Sequence, residues 1–297
     1  MTLFSESNLG AAYAIGCALS WSVIGLLVRA LSPAFNSVTL NAVRSTLGAI
    51  LIVGWVALTG GLTGLTAMSG TAFVLLAVSV VLAVWLGDTV FFESTRDLGL
   101  ARAMTVSMTY PLIAAVLAAL FLGESLTLGV AVGSVLIIVG VGLTVMAETL
   151  PGATVRGRFW LGVAAATLAS IAWAASVVVL KPSLGEVDAI QAQAVRLPVA
   201  AATLWITPWS WGGAIALRRQ AAATLWRLVA LGCLTAVSSI LFVAGVRHAG
   251  VAVATVLSST APIFAIPLGV LFVGERLTAA ALLGAIVTVV GIAVLQL

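Results

Sequence analysis

Charge is what this sequence lacks most. Of its 297 residues, 7% are Asp, Glu, Lys or Arg, against about 25% in soluble domains. With 62% hydrophobic residues and a mean hydropathy of +1.26, the chain has too few charges to cover a water-facing surface. A soluble domain is excluded and an integral membrane protein is expected. Histidine is nearly missing: His248 stands alone, so no multi-histidine metal site and no Ser–His–Asp triad can be assembled without it. Cysteine is scarce, and Cys17 and Cys233 both fall in apolar segments, which reads as packing and not as a disulfide. No phosphate loop, metal-ligand spacing or nucleophile–base pair occurs. No enzymatic activity, cofactor or metal is therefore expected. The net charge of +4 comes from scattered Arg residues with no basic, aromatic-interleaved cluster, so nucleic acid is not an expected partner. Met1–Asn8 carries no basic run ahead of Leu9–Ala30, so this first apolar segment is read as a retained helix and not a cleaved signal.

What the sequence has is apolar runs of spanning length. A helix needs about 20 apolar residues to cross a bilayer, and ten segments qualify: 9–30, 36–58, 71–92, 101–121, 126–146, 159–180, 187–208, 223–245, 250–272 and 277–296. The most charged linker, 147–158, sits near the middle. The expected organisation is a first repeat over 1–147, a linker over 148–158 and a second repeat over 159–297.

The halves echo each other. Residues 96–127 and 247–278 align without a gap at an offset of 151, with 15 of 32 positions identical. The match includes Ser107/Ser258, Pro111/Pro262, Gly123-Glu124/Gly274-Glu275 and Leu126-Thr127/Leu277-Thr278. At an offset of 152, Trp21 matches Trp173 and Arg44 matches Arg196. Five helices per half is an odd number, so the second half enters the membrane from the opposite side. The expected fold is an all-α membrane protein of two inverted five-helix repeats around a central cavity, a form suited to alternating access. Loop charges place nine Arg on the side holding loops 1–2, 3–4, 5–6, 7–8 and 9–10, against Lys181 and Arg247 opposite. The positive-inside rule then puts both termini outside the cytoplasm.

At Pro111-x11-Gly123-Glu124-x-Leu126-Thr127 and Pro262-x11-Gly274-Glu275-x-Leu277-Thr278, the chain resembles the EamA-type branch of the drug/metabolite transporter superfamily. The likeness covers essentially the whole chain. It implies a helical basket whose cavity is lined mainly by helices 1, 3, 4, 6, 8 and 9, and movement of small metabolites such as amino acids without ATP hydrolysis. It also implies cytoplasmic termini, opposite to the loop-charge reading.

Several residues are candidates for chemistry. Pro111 and Pro262 fall mid-helix in helices 4 and 9, where each frees the carbonyl four residues earlier, at Ser107 and Ser258. Such kinks are tolerated where buried or facing water. Arg44 and Arg196 lie about one-third of the way into helices 2 and 7, where a charge must snorkel, pair or bind a carboxylate. Asp88, the one acid well inside a span, follows Trp85 and Gly87; its repeat partner is Ser239. It is read either as a proton or ammonium acceptor or as an ion pair with Arg44 or Arg102. Glu124 and Glu275 are assigned to helix-start geometry of helices 5 and 10. Trp21 and Trp173, mid-helix in helices 1 and 6, suit a cavity wall or helix packing, as do Tyr110, Met104 and Met108. Trp205, Trp209 and Trp211 read as an interfacial belt.

The expected function is a secondary active transporter, an exporter of an amino acid-like metabolite, in the cell (inner or plasma) membrane. Asp88 is the candidate for proton coupling. Its partners are the substrate, the bilayer and protons, and the protein acts as a monomer or homo-oligomer. The alternative is multispecific efflux of hydrophobic or aromatic toxic compounds.

Overall fold

The computed structural model describes residues 6–31, 33–98, 103, 106–107, 109–147, 159–261, 263–264, 268 and 279–295. Pro262, Met104, Met108, Arg102, Glu275, Thr278 and the linker 148–158 lie outside the described residues. Every regular element among the described residues is helical. Their order is α1 (Glu6–Leu31), α2 (Ser37–Leu58), α3 (Gly70–Leu98), α4 (Tyr110–Leu122), α5 (Leu128–Ala147), α6 (Phe159–Leu180), α7 (Ala189–Ile206), the long helix Ala222–Ser258 and α10 (Ala279–Leu295). Gly250 divides the long helix into α8 before it and α9 after it.

Among the described residues, five helical stretches are long and apolar enough to cross a membrane: Glu6–Val28, Ser37–Leu58, Gly70–Phe91, Phe159–Gly185 and Ala222–Ser258. Shorter apolar helices cover Tyr110–Leu122, Leu128–Leu143 and Leu282–Ile292. α7, with Gln191, Gln193 and Arg196 in its 18 residues, is not among the five. It turns Gln193 and Arg196 into the bundle, where both are buried, and so keeps their polarity away from lipid.

α3 is longer than the 71–92 read from the sequence. It runs as α-helix Gly70–Val80, a π-helical stretch Val81–Asp88 and α-helix Thr89–Leu98. Short helices at Leu62–Ala67 and Gly213–Leu217 occupy the connections after α2 and α7. Pro111 is not a mid-helix proline. It stands in the first turn of α4, behind Thr109, where a missing N–H costs no helical hydrogen bond.

Five contacts join one half to the other, α1 with α8, α3 with α6, α2 with α7, α4 with α9 and α5 with α10, while α2 also packs on the long helix and α4 on α6. Exchanging the two halves maps those five pairs onto themselves. The pairs whose direction is visible run antiparallel. Along α1 and α8, Gly10 meets Ala249, Ala14 meets Gly245 and Cys17 meets Ser238. Along α3 and α6, Ala72 meets Ser183, Ser79 meets Ser176 and Ala83 meets Trp173. Along α5 and α10, Ile137 meets Gly291 and Gly140 meets Thr288. In an up-and-down chain of five helices per half, these directions arise only when the second repeat is inverted.

The largest apolar core joins Ala14, Leu76, Ala114, Leu180, Val243 and Leu257, from α1, α3, α4, α6, α8 and α9. These are the helices expected to line a cavity. The cluster lies toward the end of the bundle where α1 and α3 begin and α6 and α8 finish. Cys17 is buried, but Cys233 is exposed on the outer face of α8, so only the first is a packing residue. Trp205 also departs from the expected interfacial belt: its indole turns inward and donates to Thr46 Oγ1 at 2.9 Å. Trp209 and Trp211 are exposed.

Candidate functional site

The π-helical stretch of α3 supplies the frame of the site. A π turn widens the helix and leaves carbonyls without their usual partners. Here side chains from the second repeat satisfy them. Trp173 Nε1 donates to Ala83 O at 3.1 Å, and Ser176 Oγ donates to Ser79 O at 2.7 Å. Trp173 reaches that carbonyl because Gly87 has no side chain; a Cβ there would sit 2.5 Å from the indole.

Asp88 closes the stretch and is buried. Arg44 Nη2 donates to its Oδ2 at 2.5 Å, and Trp173 Nε1 to its Oδ1 at 3.1 Å. Of the two readings of Asp88, the ion pair with Arg44 is therefore formed. The Arg44 guanidinium lies over the Trp21 ring, 5.2 Å from its centroid, a cation–π contact. Tyr110 stands edge-on to Trp173 at 5.8 Å and donates to Thr255 O of α9 at 3.1 Å. Phe91 flanks the indole on another side at 5.3 Å. Five elements thus meet at one neutral ion pair walled by aromatic rings: α1, α2, α3, α4 and α6.

The remaining candidates are distributed elsewhere. Trp85 leaves the cluster for a shallow groove of about 150 Å³ shared with Leu86, Thr89, Leu204 and Trp209. Ser107 is buried and donates to Ala166 O at 3.4 Å. Ser258 is buried with no partner for its hydroxyl. Ser239 bonds within α8 to Ala236 O, while its own carbonyl accepts from Gln193 Nε2 at 2.9 Å. Arg196 is buried, and its Nε donates to Ser79 Oγ at 3.0 Å.

Glu124 does not serve its own helix start. Its carboxylate crosses to the second repeat and accepts from Val251 N at 2.9 Å and Ala252 N at 3.4 Å, the exposed donors of α9. Gly250, at φ 82° and ψ 172°, makes the break that frees them, in a region open essentially to glycine alone. Lys181 Nζ binds the carbonyls that end α8, Val246 O at 2.6 Å and Arg247 O at 3.3 Å. One acid and one base thus cap the two helix ends facing each other at the break, each matching the local dipole.

Sequence reasoning missed Gln193 and Lys181. The signal for Gln193 was present at the same offset of 152 that matched the arginines: Asn41-Ala-Val-Arg44 recurs as Gln193-Ala-Val-Arg196. Nothing in the linear sequence pairs Lys181 with the end of α8.

This all-helical, two-repeat bundle with a polar pair sealed among aromatic rings is the architecture of a membrane carrier. The EamA-like transporter family model matches the chain twice, over residues 8–146 and 160–297, and the chain belongs to that family. It is a multi-pass membrane protein of a family that transports small molecules. A crystal structure described only as that of a protein superposes on it with a TM-score of 0.77, at 19% identity, over 97% of this chain and 96% of its own; that likeness shows the fold. A sequence comparison with curated proteins finds no match.

Proposed function

We propose that the protein is a secondary active transporter that exports a small amino acid-like metabolite across the cell membrane by alternating access. The observation that carries this reading is the Asp88–Arg44 pair, an ion pair inside the membrane at the seam between inverted repeats. Intramembrane acids mark ion pathways and proton relays. Asp88 is the coupling group: a proton on its carboxyl removes the counter-charge of Arg44 and loosens the hold of α2 and α6 on the π-helical stretch. The apolar packing at one end of the bundle supports a state closed on that side. Inverted repeats supply the exchange of roles that opens it.

The test is uptake into proteoliposomes, comparing an amino acid panel with a dye panel, with and without a pH gradient. Saturable amino acid movement that responds to the gradient and is not competed by cationic dyes supports the proposal. Asp88→Asn with an unchanged rate and pH dependence ends the coupling assignment. The aromatic shell of Trp21, Phe91, Tyr110 and Trp173 favours a second reading, multispecific efflux of flat hydrophobic compounds. Dye transport without amino acid transport selects it.

A further inference from the structure

The two intramembrane arginines occupy matched positions but have different surroundings. Arg44 has Asp88. At the position matching Asp88, the second repeat has Ser239, and that hydroxyl is turned to its own helix. Among the described residues, Arg196 accordingly meets no carboxylate, and its side chain makes one hydrogen bond, to Ser79 Oγ. It lies about 10 Å along the axis from Ala189, at 1.5 Å per residue, so it is not a helix-end residue. An uncompensated guanidinium at such a position is costly.

Among the described residues, Nη1 and Nη2 of Arg196 meet no hydrogen-bond partner. One turn earlier on the same face, the buried Gln193 commits its Nε2 to Ser239 O. α7 thus offers a two-pronged donor without a counter-charge, the complement of a carboxylate.

We infer that Arg196 is the carboxylate anchor of the transported molecule. Arg44 is withheld from that role by Asp88. The inference rests on the amino acid reading above and deepens it: the cargo carries a free carboxylate, and its amide or ester is discriminated against. The identical Ala-Val-Arg segments place the two arginines at matched positions, and Ser239 in place of an acid is what leaves Arg196 available.

The experiment measures proteoliposome uptake of labelled L-leucine and L-phenylalanine, with competition by the free acids, by leucinamide and by phenylalaninamide. In the unaltered protein the free acid competes at least about tenfold better than the amide, while Arg196→Gln narrows the preference to about twofold, as expected for loss of a charge-assisted pair. Arg196→Lys keeps the charge, retains part of the preference and serves as the folding control by gel filtration. Equal competition by acid and amide in the unaltered protein overturns the inference, whether or not Arg196→Gln folds. An unchanged preference in folded Arg196→Gln also overturns it and leaves the amino acid reading intact. Uptake of neither amino acid, with dye uptake present, overturns both.

Discussion

Arg44 of α2 and Asp88 of α3 form a buried ion pair to which the second repeat contributes the indole of Trp173. Removing one partner of such a pair leaves an unpaired charge and costs about 3–5 kcal/mol. Arg44→Gln and Asp88→Asn should each lower the thermal midpoint in detergent. The double substitution should cost clearly less than the sum of the two. Additive losses in that cycle would show that the pair is not coupled.

Trp173→Phe preserves the ring but removes the N–H shared by Ala83 O and Asp88 Oδ1. A lost hydrogen bond is worth about 1 kcal/mol net. Stability should fall by roughly that amount, with a drop in transport. Gly87→Ala should resemble it, because the added methyl displaces the indole from the same carbonyl. Normal stability and transport in Gly87→Ala would contradict the close approach.

At the break between α8 and α9, Gly250→Ala forces a side chain into a glycine-only conformation, at a cost of about 1–3 kcal/mol. Glu124→Ala removes the cap on Val251 and Ala252. Hydrogen exchange should quicken at the first turn of α9 in Glu124→Ala. Exchange unchanged there would show that the carboxylate is dispensable.

Outside the spans, the Glu186 carboxyl is held below the usual carboxylate range, first by the Ser69 backbone N–H and then by the Ser69 hydroxyl. The distances are 2.9 and 2.8 Å. A depressed folded-state pKa means the contribution is complete above the ordinary carboxylate value and is lost as pH falls through the lower one. Ser69 caps the first turn of α3. Proteolysis between α2 and α3 should therefore increase as the pH is lowered through the acid range, and Glu186→Gln should show the increase already at neutral pH. Equal cleavage of both proteins across that range would remove the assignment.

Class and repeat structure were legible in the sequence because both are written locally. Apolar run length reports the bilayer, and the recurring Pro, Gly-Glu and Leu-Thr positions report the duplication. Trp21, Asp88, Tyr110, Trp173 and Arg44 were also legible, since polar and aromatic groups in apolar runs stand out one residue at a time. That Trp85 lines a separate groove was not legible for a complementary reason: two neighbours on a helix face different directions, and near a π turn the usual 3.6-residue spacing does not say which.

By itself, the sequence determined that this chain lies in the membrane and that it consists of two related halves. Only the tertiary structure decided which charges meet. Arg44 and Arg196 are equivalent in sequence, yet one is neutralised by Asp88 and the other is not. Glu124 looked like a cap for the helix that follows it and instead caps α9, 127 positions along the chain. The physical reason is common to both. In a low-dielectric interior an ionic or hydrogen-bonding partner is set by distance in space, and packing of the two inverted halves brings distant segments together.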